Sequence, residues 1–206
     1  RDVERSRGLG DVYKRQQSNH QLESNEEKLK KKTGGRKVHT TLAFVHTYPD
    51  GDRDFSFYRN PGADMMLRKE EVSLEKICAS KIFHFGTLSF THAGIRTASQ
   101  YAIQCAKEAG ALISFDPNLR EPLWENLEDA RKAIEYGMEC CDILKISDNE
   151  LTFMTGEKDY DKGAVLLQQK YQIPLVCVTL GKDGSRAYYK GCLLYTSDAA
   201  DDSLRV

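Results

Sequence analysis

Three apolar runs in this chain each end in a short polar motif: ALISF before DPNLR (Asp116 to Arg120), DILKI before SDNE (Ser147 to Glu150), and LVCVTL before GKDG (Gly181 to Gly184). Each run is strand-like, and helical segments separate them. Parallel strands need crossover connections, which helices usually supply, so this alternation predicts a parallel α/β sheet covered by helices. All three motifs then fall at the carboxyl edge, where such sheets bind their ligands. A carboxylate, an amide, a guanidinium and a glycine turn converging there suit phosphate and a metal ion. None of the motifs is diagnostic alone.

The chain has 206 residues, a formal net charge of −1 and 30% charged residues, which suits one domain or part of a larger one. No apolar run approaches the roughly 18 residues of a membrane span, and no signal segment opens the sequence. The balanced charge gives no electrostatic case for nucleic acid. Of six cysteines, Cys78, Cys105, Cys140 and Cys177 lie in apolar or helical contexts without metal-type spacing. They read as buried free thiols of a reducing, cytoplasmic setting.

Both ends stand apart. DVYKRQ (Asp11 to Gln16) can be written GAT-GTG-TAT-AAG-AGA-CAG, and the reverse complement, read one base on, gives CLLYT, which is Cys192 to Thr196. Inverted ends of this kind resemble translated sequencing adapters. Residues 1–16 and 192–206 are therefore expected to be adapter-derived and outside the fold. Residues 17–39 form an unassigned polar segment, whose basic run reads as a solvated helix or linker. The core is expected over 40–191.

Within that core, TLAFVHT and DFSFY flank Pro49-Asp50-Gly51, a β-hairpin signal over about 41–58. A helical stretch near Glu70 to Ile77 precedes the strand Lys81 to Phe85. Helices are expected over His92 to Ala109, Asp129 to Cys141, Leu151 to Met154 and Lys162 to Tyr171. The second of these carries an amphipathic stripe from Ala130 to Cys141. Strands are expected over Leu112 to Phe115, Ile143 to Ile146, Leu175 to Leu180 and Arg186 to Tyr189.

Pro117 lacks an amide hydrogen and stops strand pairing, leaving Asp116, Asn118 and Arg120 just beyond the edge. Arg120 can bind phosphate bidentately, and the Asn118 amide can orient an oxygen. Ser147 or Asp148 can cap the next helix, with Glu150 in its first turn. Glu150 then reads either as a capping residue or as a holder of Mg²⁺, directly or through water. Gly181 lets backbone approach a ligand, and Asp183-Gly184 makes a tight turn. His84, inside IFHF, reads as a core histidine. Gly86-Thr87 closes that run and adds a fourth strand end. Phe57 and Arg59 leave the hairpin as an aromatic beside a guanidinium, a pair able to grip a polyhydroxylated ligand or to serve a structural turn.

Taken in order, the segments Thr40 to Leu67, Phe83 to Phe90, Ile113 to Trp124, Asp142 to Gly156 and Val178 to Ser185 resemble the ribokinase-like (PfkB) sugar kinases, fructokinases most of all. The resemblance implies a three-layer α/β fold with a mostly parallel sheet and a small β lid, incomplete here, to which the hairpin belongs. It implies ATP and Mg²⁺ as cofactors, a small-molecule sugar as partner, and allows a homodimer through the lid. Phe57, Arg59 and Gly86 are expected at the sugar. Asn118, Arg120, Ser147, Thr179, Gly181 and Gly184 are expected at the nucleotide and its phosphates, and Glu150 at the metal. Ser147 stands where the family more often has Asn. The family's Gly-Ala-Gly-Asp segment with the catalytic base is expected downstream of Gly191, so no catalytic residue is assigned within this sequence.

Overall fold

The computed structural model describes residues 38–48, 53–59 and 61–197. The segments 1–37, 49–52 and 198–206, and Asn60, lie outside the described residues, and with them the expected Pro49-Asp50-Gly51 turn. The described residues fall into two compact units, divided after Met66.

The first unit is built on the expected antiparallel pair, β1 (Leu42–Thr47) and β2 (Arg53–Tyr58), with Ala43 opposite Phe57 and Val45 opposite Phe55. A bridge between His39 and Gly62 closes its base. A hairpin is marginal alone, and here Leu42, Phe44, Val45 and Tyr58 are all exposed.

The second unit is a six-stranded sheet in sequential order: β3 (Ile82–Gly86), β4 (Leu112–Asp116), β5 (Ile143–Ser147), β6 (Leu175–Thr179), β7 (Ser185–Tyr189) and β8 (Cys192–Ser197). Strands β3 to β6 are parallel, and β7 and β8 add antiparallel. The helices are α1 (Leu74–Cys78), α2 (Ala93–Glu108), α3 (Leu127–Cys140), α4 (Asp148–Thr155) and α5 (Tyr160–Tyr171). Each parallel crossover contains at least one of α2 to α5, as the alternation requires.

Local signals set the helix ends. Asn126 caps α3 by accepting from the Asp129 N–H at 2.8 Å, and Asp159 caps α5. Gly156 ends α4 in the left-handed region at φ 73°. On α3 the buried residues Ala130, Ile134, Gly137 and Met138 follow the stripe read from the sequence.

Alternation along the strands decides where the core sits. Ile113, Phe115, Leu144, Ile146, Val176 and Val178 are fully buried and join one cluster with Ile103, Ile134, Met138, Leu151 and Leu167 of the helices. Burying each such side chain contributes about 1.5–3 kcal/mol. The residues between them, such as Ser114, Lys145 and Cys177, are half-buried on the other face. The described residues thus supply a helix layer packed on one face of the sheet.

Four expectations change. The stretch near 70–77 is broken into a 3₁₀ turn, Lys69–Glu71, and α1, because Val72 and Ser73 take extended backbone between them. Only Cys141 of the six free cysteines is buried, and Cys78 and Cys192 are exposed. His84 is an exposed residue, not a core one; it alternates with Phe83 and Phe85 and so faces away from the helices. Residues 192–197, set outside the fold by sequence, pair with β7 as an edge strand.

Candidate functional site at the carboxyl edge

Because β3 to β6 are parallel, Gly86, Asp116, Ser147 and Thr179 end neighbouring strands at one edge. With strands about 4.8 Å apart, these four ends span roughly 14 Å.

The DPNLR loop is held from both sides. On the β3 side, Thr87 is fully buried and donates twice to the Pro117 carbonyl, from Oγ1 at 2.5 Å and from its N–H at 3.2 Å. A Cβ on Gly86 would lie 2.8 Å from the Asp116 carbonyl oxygen, so only glycine permits this approach. On the β5 side, Glu150 Oε1 accepts the Leu119 N–H at 2.6 Å. Between these grips Asn118 takes φ 45°, a left-handed conformation that Asn tolerates better than most residues. Arg120 follows, half-buried, with NH1 donating to the Leu119 carbonyl at 3.0 Å.

Ser147 and Glu150 form a reciprocal capping box at the start of α4. Glu150 Oε2 accepts the Ser147 N–H and hydroxyl, each at 2.9 Å, and the Glu150 N–H reaches Ser147 Oγ at 3.3 Å. Glu150 is 7% exposed, and both its oxygens serve protein donors. Those bonds do not fit a direct Mg²⁺ ligand. Among the described residues, no three His, Cys, Asp or Glu side chains gather into a metal-holding group.

Thr179 ends β6 between Ser147 and Ser185. The chain then turns through Gly181–Asp183, with Gly181 at φ 58° and Gly184 at φ 90°, values that favour glycine at both positions. The Leu180 N–H donates to the Gly184 carbonyl at 2.8 Å and closes the turn.

A cavity of about 440 Å³ opens beside the β3 and β4 ends, lined by His84, Gly86, Thr87, Ser89, Asp116 and Asn118 among others. Asp116 Oδ2 pairs with Lys145 Nζ at 3.0 Å, while its buried Oδ1 has no hydrogen-bond partner. His84 Nδ1 lies 3.0 Å from Ser114 Oγ. Sequence reasoning put Gly86-Thr87 at this edge without a role for Thr87, and it missed Lys145 and Ser114. Only Thr87 carried a signal, as a polar residue directly after a glycine at a strand end.

In the first unit, Phe57 is half-buried on β2 and stacks with Phe55 at 6.2 Å. The Arg59 side chain is only 7% exposed; Nε and NH2 reach Asp64 Oδ2 at 2.8 and 2.6 Å. Thr41 donates to the other Asp64 oxygen. Burial opposes the Asp64 charge, but the Arg59 and Thr41 hydrogen bonds outweigh it and lower its pKa. A Cβ on Gly62 would overlap Thr41 Oγ1, so glycine makes room for this network.

Residues 10–200 match the pfkB family of carbohydrate kinases. The chain belongs to that family. It is 49% identical over 151 residues to a probable fructokinase-2 of Arabidopsis thaliana, covering 73% of this chain and 46% of that protein. Its fold is similar to a fructokinase of Xylella fastidiosa solved with bound ATP, at a TM-score of 0.64 and 31% identity over 75% of this chain and 49% of the other. It is also similar to a Vibrio cholerae fructokinase in a fructose, ADP and calcium ion bound form, at a TM-score of 0.67 and 28% identity over 78% and 52% of the two chains. The chain spans about half the length of the relatives it matches. Family membership accounts for the mixed sheet and the run of motifs at its edge. Among the described residues, no helix is long and apolar enough to cross a membrane.

Proposed function

We infer that this chain supplies the phosphate-facing edge of a fructokinase-type sugar kinase, which moves the γ-phosphoryl group of ATP to a sugar hydroxyl. The observation that carries this reading is the placement of Asn118, Arg120, Ser147, Thr179, Gly181 and Gly184 along one carboxyl edge in a pfkB-family chain.

Phosphoryl transfer depends on positioning and charge stabilisation more than on covalent chemistry by the protein. Arg120 offers a permanent charge to the phosphates, and the Asn118 amide orients an oxygen beside them. The positive-φ turn at Gly181 and Gly184 lets backbone approach the nucleotide closely. Asp116 Oδ1, a buried acceptor without a protein donor, suits a sugar hydroxyl in the adjoining cavity. Phe57 and Arg59 are assigned to the sugar, with Gly86 shaping the loop beside it. Mg²⁺ bound with ATP supplies charge neutralisation, and Glu150 reaches it only through intervening water.

The exposed apolar residues of β1 and β2 support pairing of two copies through the hairpin. The six free thiols support a cytoplasmic setting.

The test is fructose-dependent ADP release by the full-length gene product, with 2-keto-3-deoxygluconate and ribose as competing acceptors. Preference for fructose supports the reading. Preference for another acceptor would reassign the sugar, and ATP binding without acceptor-dependent turnover would make the protein a binding-only relative.

A further inference from the structure

We propose that Thr87 and Glu150 are paired positioning residues, which hold the Asn118 backbone in its left-handed conformation and so aim Asn118 and Arg120. The proposal deepens the assignment of that loop to phosphate and rests on it. Thr87 is 0% and Glu150 7% exposed, so a ligand at the edge has little access to either. Each spends its polar atoms on the loop or on its own anchor. Thr87 holds Pro117, one residue before Asn118, and Glu150 holds Leu119, one residue after it.

The two grips differ chemically, which makes the pair informative. Thr87 donates to a carbonyl from the end of β3, while Glu150 accepts an N–H from the end of β5. The loop from β4 is therefore pinned to both neighbouring strands across about 30 residues of sequence on either side. Ser147 completes the device: by donating twice to Oε2 it fixes the Glu150 rotamer and leaves Oε1 for Leu119. On this geometry Glu150 influences bound phosphate through the backbone of the loop, in addition to its water-mediated reach to Mg²⁺.

The experiment uses the full-length gene product with Thr87→Val, Thr87→Ser, Glu150→Gln and the Thr87→Val/Glu150→Gln double variant. ATP binding is measured by titration calorimetry in Mg²⁺ and again in EDTA, alongside amide exchange at Leu119 and far-ultraviolet circular dichroism. Losing a hydrogen bond to a charged or buried group is expected to weaken ATP binding about tenfold in Thr87→Val, equally with and without Mg²⁺, and in Glu150→Gln, with the loss persisting in EDTA. Thr87→Ser keeps the donor and stays near the parent affinity. The double variant loses less than the product of the single losses, because both act on one loop. Leu119 exchange accelerates about tenfold in Glu150→Gln with the overall fold retained.

Unchanged Leu119 exchange in Glu150→Gln overturns the proposal. So does an affinity loss confined to Mg²⁺ samples, with Thr87→Val at parent affinity. If the full-length parent binds no ATP, the phosphate reading fails, and the Leu119 exchange alone still decides whether Glu150 positions the loop. If Thr87→Val does not fold, Thr87→Ser and Glu150→Gln carry the same comparison.

Discussion

The Tyr188 hydroxyl donates to Asp161 Oδ1 at 2.5 Å, and Arg186 NH1 reaches the same oxygen at 2.9 Å. One carboxylate on α5 thereby anchors two residues of β7. The Tyr188 bond is the leading cause that lowers the Asp161 pKa, with Arg186 adding to it. A lowered carboxylate contributes stability above its unfolded value near 3.9 and loses it as pH falls through the folded value. Tyr188→Phe should therefore destabilise the second unit by about 1 kcal/mol at neutral pH, since Asp161 is over half exposed and screened by water. The difference from the parent should shrink below about pH 4. Urea unfolding followed at pH 7 and pH 3 measures both; an equal difference at the two values would remove Asp161 from the effect.

Alkaline sensitivity follows from acids whose charged forms the fold resists, three of which are pushed furthest. Burial, then the neighbouring Asp142 charge, pushes the Cys141 thiol up to about 12. Burial raises Tyr136 to about 12, helped by Cys140, and burial followed by the Asp161 bond raises Tyr188 to about 12. A raised acid leaves stability intact below its unfolded pKa and removes it as pH rises toward the folded one. The unfolding midpoint should hold to about pH 8 and fall progressively toward pH 12, with the thiol titrating in the unfolded chain near 8.5 and the tyrosines near 10. Cys141→Ala should make the fall between about pH 8 and pH 10 shallower, with the half-buried Cys177, also raised by burial, keeping part of it. An unchanged slope over that range would exclude the Cys141 thiol.

Asn118 combines a backbone demand with a chemical one, and substitution separates them. At φ 45°, Asn118→Ala should cost about 1–2 kcal/mol of stability, while Asn118→Gly accommodates the conformation. Both remove the amide and should weaken ATP binding. A glycine variant with parent stability and parent ATP affinity would assign Asn118 to the turn alone.

The strand ends were legible because an apolar run followed by a polar break marks both a strand and its edge. What those ends do to one another was not. Thr87 and Pro117 lie 30 residues apart, and a bond to a main-chain carbonyl leaves no trace in residue type. Lys145 reads as an interruption of an apolar strand until the order β4-β5 brings it to Asp116. His84 shows the opposite case: its alternation with Phe83 and Phe85 already put it on the other face, and the surrounding hydrophobicity obscured that period. The start of α4 lies three residues before Leu151, because the Ser147 cap, rather than the apolar stripe, sets it. Glu150 caps the helix and grips the loop with separate oxygens, and the second of these contacts left no mark in the sequence around it.

Arg59 poses the sharpest question about the sugar. Its guanidinium is nearly buried and bound to Asp64, so it is already oriented by protein before any sugar arrives. If it contacts the sugar, Arg59→Ala in the full-length gene product should raise the fructose KM about tenfold or more, with ATP affinity nearly unchanged, since a hydrogen bond from a charged group is lost at one substrate only. Asp64→Asn keeps the guanidinium but loosens its support, so it should raise the same KM by a smaller factor. Its effect should be largest near neutral pH, because the lowered Asp64 pKa keeps the parent carboxylate charged there and protonation at low pH makes the parent resemble the variant. Steady-state kinetics with fructose and ATP varied in turn separates the cases. Equal losses for both substrates would take Arg59 out of the sugar pocket and leave the Arg59–Asp64 pair as a brace for the turn after β2.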